Sequence, residues 1–341
     1  MIEENKKNYV SYWLFSVILL IYLMIVVGGL TRLTDSGLSI TRWDLITGIL
    51  PPLNLQQWDH TFSLYKKIPE FKLLNPDMSL TEFKVIYWWE YIHRLLGRVI
   101  GLAYLMPLIY FTYKKSLNKN NLYYLYFILF LICFQGFVGW YMVKSGLVEN
   151  TDVSHYLLSL HLTIAFIILV LLIWGLLTVI NLKAYDSIKK IPYKLTEIFV
   201  FLILLQISLG ALVSGLDAGT IYQSWPLMNE NYFPDDSKYM DLFLLSALET
   251  PSLVQFLHRN LAYLIIILSA FLAYLIYKNN EFERLKNFFI IVLLALFFQT
   301  LLGILTILSG AQIFLASLHQ IGSIFLVSSS IILIFKNYKT N

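Results

Sequence analysis

Long runs without a charged residue recur along this chain, and they restrict it to one kind of environment. Such runs lie near residues 10–31, 120–143, 153–181 and 198–216. A hydrocarbon core about 30 Å thick is crossed by roughly 20 helical residues, so each of these runs reads as a spanning helix. Two shorter runs, 99–113 and 260–277, follow His93-Arg94 and His258-Arg259. They become long enough only if the His-Arg pairs belong to the helices. The last run, 287–335, is too long for one span, and Ser309-Gly310-Ala311-Gln312 supplies the turn in its middle. The expectation is an all-α integral membrane protein with eight transmembrane helices. Composition agrees: 58% hydrophobic and 13% charged residues lie outside the range of soluble domains.

An even number of spans places both termini on one side. Lys and Arg number 14 in the N-terminus, the 2–3, 4–5 and 6–7 connections and the C-terminus, against 8 in the opposite connections. The positive-inside rule then makes the termini cytoplasmic. The opening "MIEENKK" carries acidic residues, no arginine and no cleavage pattern, so the first helix reads as a retained span. The net charge of +4 is accounted for by the cytoplasmic loops and implies no nucleic-acid partner. The single cysteine, Cys133, excludes an internal disulfide and reads as a small buried apolar residue.

A repeat organises the eight spans. "GGLTRLTDSGLSITRW" (28–43) is answered by "GALVSGLDAGTIYQSW" (210–225), with Gly28, Asp35, Gly37 and Trp43 recurring as Gly210, Asp217, Gly219 and Trp225 at one constant offset. "FQGFVGWYMVKSG" (134–146) is answered by "FQTLLGILTILSG" (298–310). The chain reads as two tandem four-helix bundles, 1–185 and 186–341, related by a pseudo-two-fold axis along the membrane normal. The first unit carries a long loop, residues 33–84, whose Trp43 and Trp58 could cover a ligand or lie among headgroups.

Four of the six histidines obey the same repeat. His93 in helix 2 matches His258 in helix 6, and His161 in helix 4 matches His319 in helix 8. All four lie towards the N-terminal ends of even-numbered helices, so each unit offers two imidazoles at similar depth. A helical bundle can hold a porphyrin iron between two imidazoles. The alternative, hydrogen bonding between neighbouring helices, stays open for any single histidine. Zinc and copper fit less well, because no cysteine set or third ligand accompanies each pair.

"EYIHRLLGR" (90–98), its His258-Arg259 copy, "GLTRLTDSGLSITRW" and "GWYMVKSGL" (139–147) together resemble the haem A synthase family, over nearly the whole chain. The resemblance implies oxidation of the C8 methyl group of haem O, through a hydroxymethyl stage, to the formyl group of haem A. It implies substrate haem at His93 and His161, a bound haem b at His258 and His319, and Glu90 as the residue tied to the chemistry. It further implies a multi-pass protein of the bacterial inner membrane. Its partners would be haem O, the bilayer and an electron donor, with haem O synthase, cytochrome oxidase assembly factors and a second copy of the chain as further candidates. One departure stands out: some members carry a cysteine pair in the first outer loop, and residues 33–84 contain none.

Read from the residues, Glu90 and His93 are three apart and share a helix face. Oxidising a methyl group releases protons, which a carboxylate can carry. A helix-end charge or an ion pair with Arg94 is the alternative. Arg94, Arg98 and Arg259 are candidates for haem propionates, or for lipid phosphates. Asp35 and Asp217 read as turn or cap residues, Lys144 as an interfacial anchor, and His155 as solvated. Aligning the His-Arg pairs sets Glu90 opposite Gln255, a difference that favours an enzyme over two rival readings. These are a di-haem membrane electron carrier of the cytochrome b type and a haem-binding chaperone or transporter.

Overall fold

The computed structural model describes residues 4–43, 47–149, 151–180 and 191–338. Eight helices among them are long and apolar enough to cross a membrane. In chain order the α-helices are α1 (Glu4–Leu33), α2 (Leu55–Tyr65), α3 (Pro69–Leu74), α4 (Leu80–Tyr113), α5 (Lys119–Glu149), α6 (His155–Val179), α7 (Leu195–Gly215), α8 (Pro251–Lys278), α9 (Lys286–Leu308) and α10 (Ile313–Asn337). All but α2 and α3 are spans. Both His-Arg pairs lie inside their helices, as the short apolar runs required.

Local chemistry sets the ends. α4 starts in a reciprocal cap: the Glu82 N–H donates to Ser79 Oγ at 3.3 Å, and the Ser79 N–H donates to the Glu82 carboxylate at 2.8 Å. α8 starts on Pro251, where a missing N–H costs nothing. The turn expected at 309–312 separates α9 from α10, with Gly310 and Ala311 in the left-handed region (φ 67° and 59°). Repeat-related Asp35 and Asp217 also turn left-handed (φ 47° and 48°) just beyond α1 and α7, which makes them the turn residues the sequence implied.

Each half closes a ring of neighbours: α1, α4, α5 and α6 in the first, α7, α8, α9 and α10 in the second. The rings meet through α6 against α7 and through α10 against both α1 and α6. Burial follows this layout: about half of the α6 and α10 spans is buried (50% and 56%), against 17% for α5 and α9. The outer helices show apolar side chains to lipid, which is as apolar as they are. Phe127, Phe130, Phe134 and Phe137 line the outside of α5. Cys133 sits among them and is exposed. It is therefore not the buried residue expected, because α5 has only a narrow inward face.

The junction expected at 185/186 lies outside the described residues. The first outer loop, residues 33–84, contains α2 and α3. Trp58 of α2 is buried against Tyr87 and Trp88 of α4, with ring centres 4.9 and 6.1 Å away. Trp58 thus packs the loop onto α4. Trp43 lies beneath the Arg94 guanidinium, 4.8 Å from ring centre to Cζ.

Candidate functional site

The histidines come together in the pairs the repeat suggested. His93 of α4 faces His161 of α6 with ring centres 6.4 Å apart and planes at 49°. His258 of α8 faces His319 of α10 at 6.5 Å and 76°. Each pair lies inside one ring of helices.

Every ring also has a glycine at its back. A Cβ built on Gly28 of α1 would lie 2.9 Å from His93 Cε1, and one on Gly139 of α5 would lie 2.9 Å from His161 Cε1. In the second half Gly210 of α7 meets His258 Cε1 at 3.1 Å, and Gly303 of α9 meets His319 Cε1 at 2.9 Å. Real Cβ atoms essentially never approach below 3.0 Å, so a side chain at Gly28, Gly139 or Gly303 would displace its imidazole, and one at Gly210 would press His258 by a few tenths of an ångström. Gly28 and Gly210 are legible in the sequence as repeat markers, but their place behind the imidazoles is not. Their recurrence on the odd-numbered spans was the available signal.

Glutamines form a second support. Gln135 Nε2 donates to the backbone oxygen of His161 at 2.8 Å, and Gln206 Nε2 donates to that of His258 at 2.9 Å. His319 Nδ1 lies 3.1 Å from the backbone oxygen of Gln299. The Nδ1 atoms of His93, His161 and His258 are buried without a hydrogen-bond partner.

One turn before His93, Glu90 is buried and fully engaged. Its Oε2 accepts from Ser39 Oγ at 2.6 Å and from the Ile40 N–H at 2.7 Å, while Oε1 accepts from Arg94. Arg94 also donates to the carbonyls of Ile40 (2.9 Å) and Arg42 (3.0 Å). The second half repeats this clip with an amide. Gln255 Nε2 donates to the carbonyls of Ala218 (2.9 Å) and Tyr222 (3.2 Å), and Arg259 donates to Tyr222 O (2.9 Å) and Leu227 O (3.2 Å). Arg94 and Arg259 thus bind loop backbone, although the Nε of each remains buried and unpartnered. Arg98, one turn further along α4, is partly buried.

At the last turn of α1, Arg32 joins the halves by donating to Asp35 (2.6 Å) and Asp217 (2.9 Å), both just beyond their spans. Asp35, Glu70, Asn75, Asp152 and Asp217 line a cavity of about 190 Å³ beside it. Glu70 Oε1 accepts from Tyr65 Oη at 2.9 Å, and Oε2 is buried without a partner. Burial pushes the Glu70 carboxyl up to about 8. Lys144 lies 4.9 Å from the Trp140 ring centre, as an interfacial anchor can. His155 is not solvated: it packs on Gly215, where a Cβ would lie 2.7 Å from its own, and its Nε2 is buried.

Two facing imidazoles suit a metal that brings its own equatorial ligands. A metal held between the two rings by metal–nitrogen bonds of about 2 Å would set their centres roughly 6 Å apart, close to the separations here. Among the described residues no group of three or more His, Cys, Asp or Glu could hold a bare metal ion. A pair of imidazoles would therefore suit a porphyrin iron better than a zinc or copper centre.

Comparison with known proteins gives one consistent answer. The chain matches the COX15-CtaA family, described as cytochrome oxidase assembly protein, over residues 11–331. It is 50% identical over 338 residues to the heme A synthase of Pelagibacter ubique (strain HTCC1062), covering 98% of each chain. It is 40% identical to the heme A synthase of Bartonella tribocorum, over 94% of this chain and 89% of that one. With that of Rickettsia felis the identity is 41%, over 95% and 96%.

Proposed function

Because the chain belongs to the COX15-CtaA family of cytochrome oxidase assembly proteins, we propose that it acts as a haem A synthase, an enzyme that oxidises haem O to haem A within the membrane. The observation that carries this reading is the presence of two imidazole pairs, 6.4 and 6.5 Å between ring centres, in one membrane-embedded chain.

In this reading His93 and His161 hold the substrate haem, and His258 and His319 hold a resident haem b. Haem b bound there supplies an iron that passes single electrons. Glu90 is the group that takes up protons as the methyl carbon is oxidised. Its Oε2 is the receiving atom, held in place by Ser39 Oγ, which donates to it at 2.6 Å. Gln255 keeps the same contact pattern but is no base near neutral pH, which supports a reaction site in the first half and an electron relay in the second. The unpartnered Nε atoms of Arg94 and Arg259, together with Arg98, are offered to haem propionates. The same reading takes 1–185 and 186–341 as duplicated units about an axis along the membrane normal.

Both termini fall on the cytoplasmic side of a bacterial inner membrane, a placement supported by the even span count and the Lys and Arg distribution. Reporter fusions after Asn75 and Asn118 are expected to report opposite sides, and a shared side would overturn this orientation. The near-equal ring separations favour a second reading, a di-haem electron carrier that changes neither haem. One experiment separates the two: co-express the chain with a haem O synthase and identify the extracted haems by chromatography and mass. Haem A is expected, and haem O alone beside folded protein would overturn the enzyme reading.

A further inference from the structure

The two histidine pairs share their geometry but not their polar support. The offset that matches Gly28 with Gly210 also sets Met24 of α1 opposite Gln206 of α7. Gln206 Nε2 lies 2.9 Å from the backbone oxygen of His258 and 3.2 Å from its ring Nε2. Gln299 meets both ring nitrogens of His319, with its backbone oxygen 3.1 Å from Nδ1 and its Nε2 3.5 Å from Nε2. Each imidazole of the second pair therefore has a glutamine at a ring nitrogen.

The first pair has none. Gln135 reaches the backbone oxygen of His161 and stops there, and no glutamine meets a ring nitrogen of His93 or His161; Nδ1 is buried without a partner in both, as it is in His258, so the difference between His93 and His258 lies in the contacts of Gln206 alone. At the place that answers Gln206, the Met24 side chain packs towards α4, its Cε 3.6 Å from where a Cβ on Gly97 would lie. An outer hydrogen bond fixes the orientation of a ligating histidine and strengthens its hold on the metal. A thioether offers neither, and it adapts to rearrangement around it.

We propose that Gln206 is a positioning residue that makes the His258–His319 pair a retaining haem site, and that Met24 at the matching place leaves the His93–His161 pair able to release its haem. The inference rests on the proposed function, in which one haem is resident and the other must arrive and depart. It assigns the difference in residence to one repeat-related position on α1 and α7, where the ligands themselves are alike.

The test uses the haem-loaded full chain and two reciprocal variants of similar volume, Gln206→Met and Met24→Gln. Haem transfer to excess apomyoglobin gives a release rate, and low-spin electron resonance reports how the two imidazole planes are set. Gln206→Met is expected to release the resident haem about 10-fold faster or more and to shift the low-spin g values. Met24→Gln is expected to slow release from the first pair by a comparable factor. Unchanged release rates and g values in both variants would overturn the proposal. Should Gln206→Met fail to assemble, Met24→Gln decides alone: slower release supports the proposal and unchanged release overturns it. His258→Ala and His319→Ala separate the two levels. If the resident signature survives both, the haem assignment falls and the inference with it. If they abolish it while the reciprocal variants change nothing, only the role of Gln206 falls.

Discussion

Each of the four imidazoles rests with Cε1 against a glycine, so a single added methyl group is felt directly by a ring. Gly303→Ala would bring a carbon within 2.9 Å of His319 Cε1. The ring must turn or α9 must retreat, and overpacking of this kind costs about 1–3 kcal/mol. The variant should fold, yet show a shifted low-spin haem signature, which electron resonance would detect. An unaltered signature would mean the backbone gives way without moving the imidazole. Glu90 poses a different question, because its carboxylate both holds the loop and stands one turn from His93. In Glu90→Gln an amide N–H₂ must face either the Ile40 N–H or the Arg94 guanidinium, where the carboxylate accepts from both. Loss of a proton-transfer group typically costs about 10²–10⁴-fold in rate, whereas a loosened loop acts on substrate binding. Haem A formation should therefore fall within that range while haem O still binds. A loss confined to haem O binding would make Glu90 a clip and nothing more.

At the scale of the element, the first outer loop is tied to the membrane by contacts that run far along the chain. Ser39 and Ile40 bind Glu90, α2 packs on the start of α4 through Trp58, Phe62 and Tyr65, and α3 packs on α2 through Phe71. Glu70 of α3 is the weak point of this packing at high pH. Its carboxyl titrates near 8 in the folded protein, against about 4.5 ordinarily, so the folded state binds the proton more tightly than the unfolded one. The stability this brings is fully present below the ordinary value and is lost as pH rises through about 8. Melting in detergent should show a lower Tm at pH 9 than at pH 6, and Glu70→Gln should shrink that difference; an equal difference in both proteins would rule Glu70 out. None of this loop structure was legible in advance. Span lengths, the 309–312 turn and the histidine pairing were, because apolar runs and a duplicated pattern are written in local sequence. The ion pair of Glu90 with Arg94, four residues on, was also legible; its loop partners Ser39 and Ile40 were not, since a contact across some fifty residues leaves no period. The lipid-facing position of Cys133 escaped for a related reason: α5 is apolar all round, so its pattern does not say which face turns inward.

For the molecule as a whole, the question is what holds the two rings of helices together. The wall between them consists of α1, α6, α7 and α10, and its polar contacts are few and specific. Arg32 reaches Asp217 at 2.9 Å, Gln320 donates to Ile25 O at 2.8 Å, Ser159 Oγ lies 2.8 Å from Ser208 Oγ, and Tyr22 Oη lies 2.8 Å from Ser328 Oγ. Gln320 fits only because Gly29 leaves room, a Cβ there falling 1.8 Å from its Oε1. Each histidine pair, in contrast, draws both of its rings and both of its glycines from one unit. A cut between 185 and 186 would then break no ligand set and would remove the covalent link, which sets the local concentration of one part about the other. Co-expressed as separate chains, 1–185 and 186–341 are expected to co-purify in mild detergent with the low-spin haem signature intact. Gly29→Leu in the first chain should abolish co-purification, because Gln320 loses its seat at the wall. If the halves fail to associate even with Gly29 in place, the interface is too weak to act without the covalent link, and the unit of folding is the whole eight-helix chain.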